Sequence, residues 1–193
     1  MKAKIVFIAD RSGSMFQIRE DAIGGFNTFI EDQRKVEGNA DITLVLFDDQ
    51  YEVPYSNVDI KEVALLNEDT YQPRGSTALL DAIGTTITNV GDELKDLSED
   101  QRPDKVIFCI ITDGQENSSR EYSRDTIKQM VEHQQEKYNW EFVFLAANMD
   151  AIAEGMSYGF MAQSCSNYDN TKDGIKVAYA HVSDSVRAMR TEK

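Results

Sequence analysis

The sequence predicts an α/β fold with a doubly wound, mostly parallel sheet, one antiparallel edge strand and helices on both faces. Short apolar runs alternate along the chain with longer segments of helical spacing, which is the pattern of repeated β-α-β units. Val106–Ile111 (VIFCII) is apolar throughout, as expected of a central strand that is covered on both faces. Because the 193 residues contain no repeat and no Pro/Gly-rich linker, we expect a single domain over residues 1–193.

The remaining strands are predicted from short apolar runs bounded by turn residues. Asp48-Asp49-Gln50 indicates a tight turn, so the strand that follows it is expected to pair back as the antiparallel edge strand, where Pro54 is tolerated. The predicted strands besides the central one are Lys4–Ala9, Ile42–Phe47, Tyr51–Val58, Glu141–Ala147 and Phe160–Ser164.

Helices are predicted where apolar residues recur three or four positions apart. Ser123 is a suitable N-cap for one of them, and Pro103 follows the end of another. The predicted helices are Ile18–Val36, Thr77–Leu97, Ser123–Tyr138, Asp150–Tyr158 and Thr171–Met189, with a short helical turn at Val63–Leu66. In the last helix the stripe expected to pack on the sheet is Ile175, Val177, Ala178, Val182, Val186 and Met189.

Composition excludes several classes of function. A net charge of −14 disfavours binding to a phosphate backbone, so we expect no nucleic-acid partner. No stretch approaches the ~18 apolar residues of a membrane span, and the first apolar run stops at Asp10, unlike a signal peptide. We therefore expect a cytoplasmic protein without membrane contact. Cys109 and Cys165 lie in apolar runs and are expected to be reduced core thiols rather than zinc ligands.

Polar oxygens follow several of the predicted strands. The segment KIVFIADRSGSM ends an apolar run on Asp10 and places Ser12 and Ser14 at alternate positions. Asp113 follows the central strand, and Thr77 follows Gly75 in the segment PRGST. The carboxyl ends of parallel strands share one edge of a sheet, and such hard oxygens suit Mg²⁺, Mn²⁺ or Ca²⁺.

Each of these residues also has a simpler interpretation. Asp10, Ser12, Ser14 and Asp113 are common turn residues, and Thr77 could simply cap the helix that it precedes. Their joint occurrence at one edge of the predicted sheet is what favours a metal site.

The motifs DRSGSM, GST before a helix and ITDG after an apolar strand together resemble the metal-ion-dependent adhesion site of the von Willebrand factor A (vWA) domain family, which has a Rossmann-like fold. The resemblance covers nearly the whole chain in element order. The small size of the chain is similar to that of short bacterial or phage-borne members of the family, such as those of tellurite-resistance-type stress clusters.

The resemblance implies a metal set and a function. Ser12, Ser14 and, in the ligand-bound state, Thr77 would contact Mg²⁺, with Mn²⁺ or Ca²⁺ as alternatives. Asp10 and Asp113 would act largely through water. The implied function is a divalent-metal-dependent protein-binding module that captures an Asp or Glu carboxylate of a partner protein through an open coordination position.

Two alternatives stay open at this point. A phosphohydrolase of the haloacid-dehalogenase kind also has an Asp after its first strand, but it needs a second carboxylate two residues later, where this chain has Ser12, and a lysine near Asp113. A structural subunit with a non-functional site is disfavoured by the intact residue set.

His133 and His181 lie inside predicted helices, so we expect no catalytic residue and no enzyme. Arg11 is expected to be a solvated surface arginine or, as the second choice, a contact for an acidic partner.

Overall fold

The computed structural model describes residues 1–192, and within them six strands form one sheet. The strands are β1 (Lys2–Asp10), β2 (Asn39–Phe47), β3 (Tyr51–Asp59), β4 (Lys105–Thr112), β5 (Glu141–Ala146) and β6 (Cys165–Asn167). Their order is β3-β2-β1-β4-β5-β6. β2 and β3 pair antiparallel, and the other neighbouring strands pair in parallel. The predicted fold class is confirmed, including its antiparallel edge strand.

Helices cover both faces of this sheet. The helices are α1 (Arg19–Arg34), α2 (Leu79–Lys95), α3 (Arg124–Tyr138), α4 (Ala151–Ser157) and α5 (Lys172–Thr191). Because side chains alternate across a strand, β1 supplies Phe7 to the core with α1 and α5, and Ile8 to the core with α2, α3 and α4. None of the helices in residues 1–192 is both long and apolar enough to cross a membrane.

Several local predictions are confirmed. Ser123 caps α3, since its Oγ accepts the Thr126 N–H at 3.2 Å. Cys109 and Cys165 are buried free thiols. The central position of β4 is also confirmed, because it lies between β1 and β5.

Other predicted elements are wrong. Val63–Leu66 forms no helical turn, because side chains of α1 bind its backbone instead: Asn27 Oδ1 accepts the Leu66 N–H at 2.8 Å, and Arg34 donates to the Val63 carbonyl at 2.6 Å. The first predicted helix, Ile18–Val36, is confirmed as α1, and a 3-10 helix over Gly13–Ile18 that was not predicted precedes it.

The last predicted strand and part of the last helical stripe are also wrong. Phe160 precedes a 3-10 helix at Ala162–Ser164, and its ring packs on Phe144 with centroids 5.3 Å apart. The final strand therefore forms later, as β6. Val177 is 67% exposed, because it turns away from the stripe that its neighbour Ala178 shares with the rest of the helix.

Candidate metal centre

Two aspartates meet where the strand order of the sheet reverses. β1 connects to β2 on one side, and its other neighbour, β4, leads to β5 on the opposite side. Asp10 is the last residue of β1, and Asp113 directly follows β4. In open α/β sheets, ligands bind outside the carboxyl ends of the strands at this reversal.

Four of the five predicted site residues are linked by hydrogen bonds or close contact. Asp10 Oδ1 accepts the Ser12 N–H at 2.7 Å, and its Oδ2 accepts the Thr112 hydroxyl at 2.7 Å. The Ser14 hydroxyl donates to Asp113 Oδ1 at 2.7 Å and lies 3.1 Å from the Ser12 hydroxyl. The aspartates therefore orient the loop of the serines, and the serine oxygens lie side by side.

The fifth residue, Thr77, approaches from the loop before α2. Its N–H donates to Asn117 Oδ1 at 2.9 Å, and its carbonyl accepts the Asn117 N–H at 3.0 Å. A Cβ placed on Gly114 would lie 3.6 Å from the Thr77 hydroxyl oxygen, so this side chain packs beside the turn after Asp113. Thr77 does not cap α2, since the N-cap position is Ala78.

Side chains of the loop after Asp113 cap the N-terminus of α2. Glu116 Oε2 accepts the Leu80 N–H at 2.9 Å, and Ser119 Oγ accepts the Asp81 N–H at 3.0 Å. In return, the Asp81 carboxylate accepts backbone N–H groups of residues 120–122. Glu116 and Asn117 were not predicted from the sequence, because their partners are distant along the chain and no local pattern marks them.

Two buried tyrosines donate hydrogen bonds to backbone carbonyls at the ends of β1 and β4. The Tyr71 hydroxyl donates to the Asp10 carbonyl at 2.5 Å, and the Tyr168 hydroxyl donates to the Thr112 carbonyl at 3.0 Å. Both contacts hold the backbone at the ends of β1 and β4, where Asp10 and Asp113 lie. These tyrosines were also missed, since each lies in a loop with no recognisable spacing.

A third buried carboxylate, Asp48, lies at the same edge. Its Oδ2 accepts Arg11 Nε at 3.1 Å and Arg74 Nε at 2.9 Å. Arg11 is only 3% exposed, so the expectation of a surface arginine is wrong. Its charge can be buried because the neighbouring carboxylate of Asp48 is its counter-ion. Asp48 follows the apolar run of β2 as Asp10 follows that of β1. This signal could have identified Asp48 as a residue of the same edge, but in the sequence Asp48 was interpreted only as a turn residue.

The electrostatics of Asp10 and Asp113 differ from those of Asp48. Both are buried, and in residues 1–192 neither forms an ion pair with a Lys, Arg or His side chain. Burial, and secondly the charge of Asp113, raises the pKa of Asp10 to about 6, although hydrogen bonds from Thr112 and Ser12 oppose the shift. Burial also raises the pKa of Asp113. A bound cation would relieve this cost.

The donor set fits a hard divalent cation. The described residues contain no group of three or more His, Cys, Asp or Glu side chains placed to hold a metal, so a metal here depends on hydroxyl oxygens. Two carboxylates and the hydroxyls of Ser12, Ser14 and Thr77 are all hard oxygen donors, which Mg²⁺ prefers while it retains several waters. His133 and His181 are exposed on α3 and α5, and neither contributes.

Solved structures of other proteins share this fold. Proximal thread matrix protein 1 from the mussel byssus is 15% identical with a TM-score of 0.65, covering 96% of this chain and 46% of the mussel chain. The vWF domain of the pilus tip protein Mfa5 from Porphyromonas gingivalis is 9% identical with a TM-score of 0.68, covering 99% and 97%. Manganese-loaded TRAP from Plasmodium vivax is 15% identical with a TM-score of 0.55, covering 84% and 60%.

These likenesses define the class of fold: the chain has the von Willebrand factor A fold. It spans about half the length of the mussel protein, one form of which is described with a zinc-occupied adhesion motif. No protein-family model and no curated protein sequence matches this chain.

Proposed function

We propose that this domain is a protein-binding module that depends on a divalent cation. Asp10, Ser12, Ser14, Thr77 and Asp113 would hold Mg²⁺, and a coordination position left open would take an Asp or Glu carboxylate from a partner protein. One contrast carries the proposal. Asp48 has two guanidinium partners, whereas the buried Asp10 and Asp113 at the same edge form no ion pair with a Lys, Arg or His side chain of residues 1–192.

The proposed roles follow from the hydrogen bonds. Asp10 holds the serine loop through the Ser12 N–H, and Asp113 orients the Ser14 hydroxyl. Neutral hydroxyls in contact with the ion would leave most of its positive charge uncompensated, which favours an anionic sixth ligand. Zinc in the mussel protein and manganese in TRAP support a divalent ion; Mg²⁺ rather than Mn²⁺ or Ca²⁺ is our proposal.

The partner is expected to be a protein with one protruding carboxylate in a basic surround. A chain of charge −14 repels acidic surfaces at long range, but the screening length is only ~8 Å at physiological salt. A basic surround would remove the remaining repulsion, while the metal attracts the carboxylate at contact. A cytoplasmic location and the absence of a nucleic-acid partner stay predictions from the sequence.

We propose a binding site rather than an active site. A phosphohydrolase of the alternative type needs an acid/base carboxylate at the position of Ser12, and a hydroxyl cannot replace it. Hydrolysis of generic phosphoesters by the Mg²⁺-loaded protein would contradict this part of the proposal.

Calorimetric titration with Mg²⁺ and Mn²⁺ tests the metal site. We expect saturable binding to the wild type and none to Ser12→Ala/Ser14→Ala, with Ser98→Ala as a control on an exposed turn away from the site. Affinity capture from lysate with and without EDTA then identifies partners lost on both chelation and mutation. Equal metal binding by the wild type and the double variant would overturn the proposed site.

A further inference from the structure

A single buried carboxylate joins the two loops that carry the proposed metal-binding hydroxyls. Asp48 Oδ2 accepts Arg11 Nε from the loop of Ser12 and Ser14, and it accepts Arg74 Nε from the loop of Thr77. Glu52 extends the contact, since it accepts Arg11 Nη1 at 2.7 Å and Arg74 Nη2 at 3.0 Å. Both guanidinium groups therefore bind the same two acids.

Backbone hydrogen bonds bring the loops together on both sides of Thr77. Before it, the Arg74 N–H donates to the Arg11 carbonyl at 2.8 Å, and the Gly13 N–H donates to the Gly75 carbonyl at 3.1 Å. After it, the Ala78 N–H donates to the Asp48 carbonyl at 2.9 Å. The position of Thr77 relative to the serines is therefore set by this junction.

Arg11 and Arg74 differ in how deeply their side chains are buried. The side chain of Arg11 is buried, whereas that of Arg74 is 46% exposed. Removal of Arg74 leaves Asp48 paired with Arg11, so no buried charge loses its last partner. Arg74 can thus be changed with a small cost in stability, which separates positioning from folding.

We infer that Arg74, held by Asp48 and Glu52, is a positioning residue that keeps the loop of Thr77 against the loop of Ser12 and Ser14, so that the three hydroxyls could bind one cation. The inference rests on the proposed metal site. Arg74 lies three residues before Thr77, and its cationic side chain would not itself be a ligand of the ion.

The test measures Mn²⁺ affinity by the paramagnetic resonance signal of the free ion. We expect Arg74→Ala to weaken binding about tenfold, in the range typical of residues that support metal ligands. Arg74→Lys, which keeps the positive charge but lacks the planar fork that reaches both acids, should weaken it less. Arg124→Ala is the matched control, since Arg124 is 45% exposed and pairs with Glu154 at 2.9 Å on another part of the surface; we expect it to leave the affinity unchanged.

A double-mutant cycle shows whether Arg74 acts through Thr77. In a Thr77→Ala background, Arg74→Ala should cause no further loss, because the group that it positions is already absent. An unchanged affinity for Arg74→Ala in the wild-type background, or the same loss in both backgrounds, would overturn the inference while the metal site stands. Absence of Mn²⁺ binding by the wild type would instead overturn the proposed function.

Unfolding in EDTA separates a folding defect from a positioning defect. We expect Arg74→Ala to keep a cooperative transition close to that of the Arg124→Ala control. If Arg74→Ala unfolds without a cooperative transition, the metal affinity of Arg74→Lys becomes the test. A folded Arg74→Lys protein with wild-type affinity would then show that Arg74 contributes to stability alone.

Discussion

Replacement of Asp10 by asparagine should stabilise the metal-free protein at neutral pH. Burial raises the pKa of Asp10 from the ordinary 3.8 to about 6, so its ionised form is less favourable in the folded chain than in the unfolded chain. About two pKa units correspond to ~3 kcal/mol at neutral pH. Asparagine removes this cost and is nearly the same size.

The hydrogen bonds around Asp10 can accommodate the amide. Asparagine Oδ1 can accept the Ser12 N–H, and its Nδ2 can donate to the Thr112 hydroxyl, which itself contacts the Gly114 carbonyl at 3.1 Å. Only the long hydrogen bond from the Asp113 N–H to Asp10 Oδ2, at 3.4 Å, has no acceptor in the variant. Weaker acceptance by a neutral oxygen costs ~1 kcal/mol. The net gain is therefore about 2 kcal/mol, or roughly 4–8 °C for a domain of this size.

The pH dependence gives this prediction its sign. Because the pKa of Asp10 is higher in the folded state than in the unfolded state, the wild type is penalised once the carboxyl ionises, increasingly from pH 4 to pH 6 and fully above pH 6. Thermal unfolding in EDTA should show Asp10→Asn as the more stable protein at pH 7.5, with little difference at pH 4. A less stable variant at pH 7.5, or a difference independent of pH, would refute the reasoning.

Asp48→Asn is the matched control, and it should change stability in the opposite direction. Asp48 is also a buried aspartate at a strand end, but it neutralises Arg11 and Arg74. Removal of its charge leaves the buried Arg11 with the half-exposed Glu52 as its remaining counter-ion. We therefore expect a loss of about 2 kcal/mol, the contribution of a hydrogen bond between charged groups.

Three further predictions concern the proposed site. Mg²⁺ binding measured by calorimetry should weaken about tenfold from pH 7.5 to pH 5, because a proton must leave Asp10, whose pKa is about 6, before the metal binds; equal affinity at both values would contradict it. Tyr71→Phe removes the hydrogen bond to the Asp10 carbonyl and should lower the free energy of unfolding by ~1 kcal/mol in denaturant titration, with no loss as the contrary result. Gly75→Ala should weaken Mn²⁺ binding and lower the melting temperature, because Gly75 has φ +64° and a Cβ there would collide with Asp49; an unchanged variant would show that the turn is not needed.

The sheet, its helices and its reversal point followed from the sequence because burial on both faces leaves long apolar runs. Lys4–Ala9 and Val106–Ile111 mark β1 and β4 without tertiary information, and the parallel arrangement then places Asp10 and Asp113 at one edge. Polar connections carry no such pattern. Val63–Leu66 depends on hydrogen bonds from α1, which no local rule predicts.

The candidate site was similarly predictable in part. Asp10, Ser12 and Ser14 are close in sequence, so their spacing alone predicts a shared loop. Arg11 was misjudged because its counter-ion, Asp48, comes from another strand end, 37 positions away. Long-range charge pairing of this kind is visible only after the strands have been assembled.

A crystal soaked in Mn²⁺ tests the central claim most directly, because the anomalous signal of the ion locates it without assumption. We predict one ion between Asp10 and Asp113, in contact with the hydroxyls of Ser12 and Ser14, with at least one position held by water or a buffer carboxylate. An ion bound elsewhere, an ion enclosed entirely by atoms of the chain, or no anomalous peak at this edge of the sheet would contradict that claim.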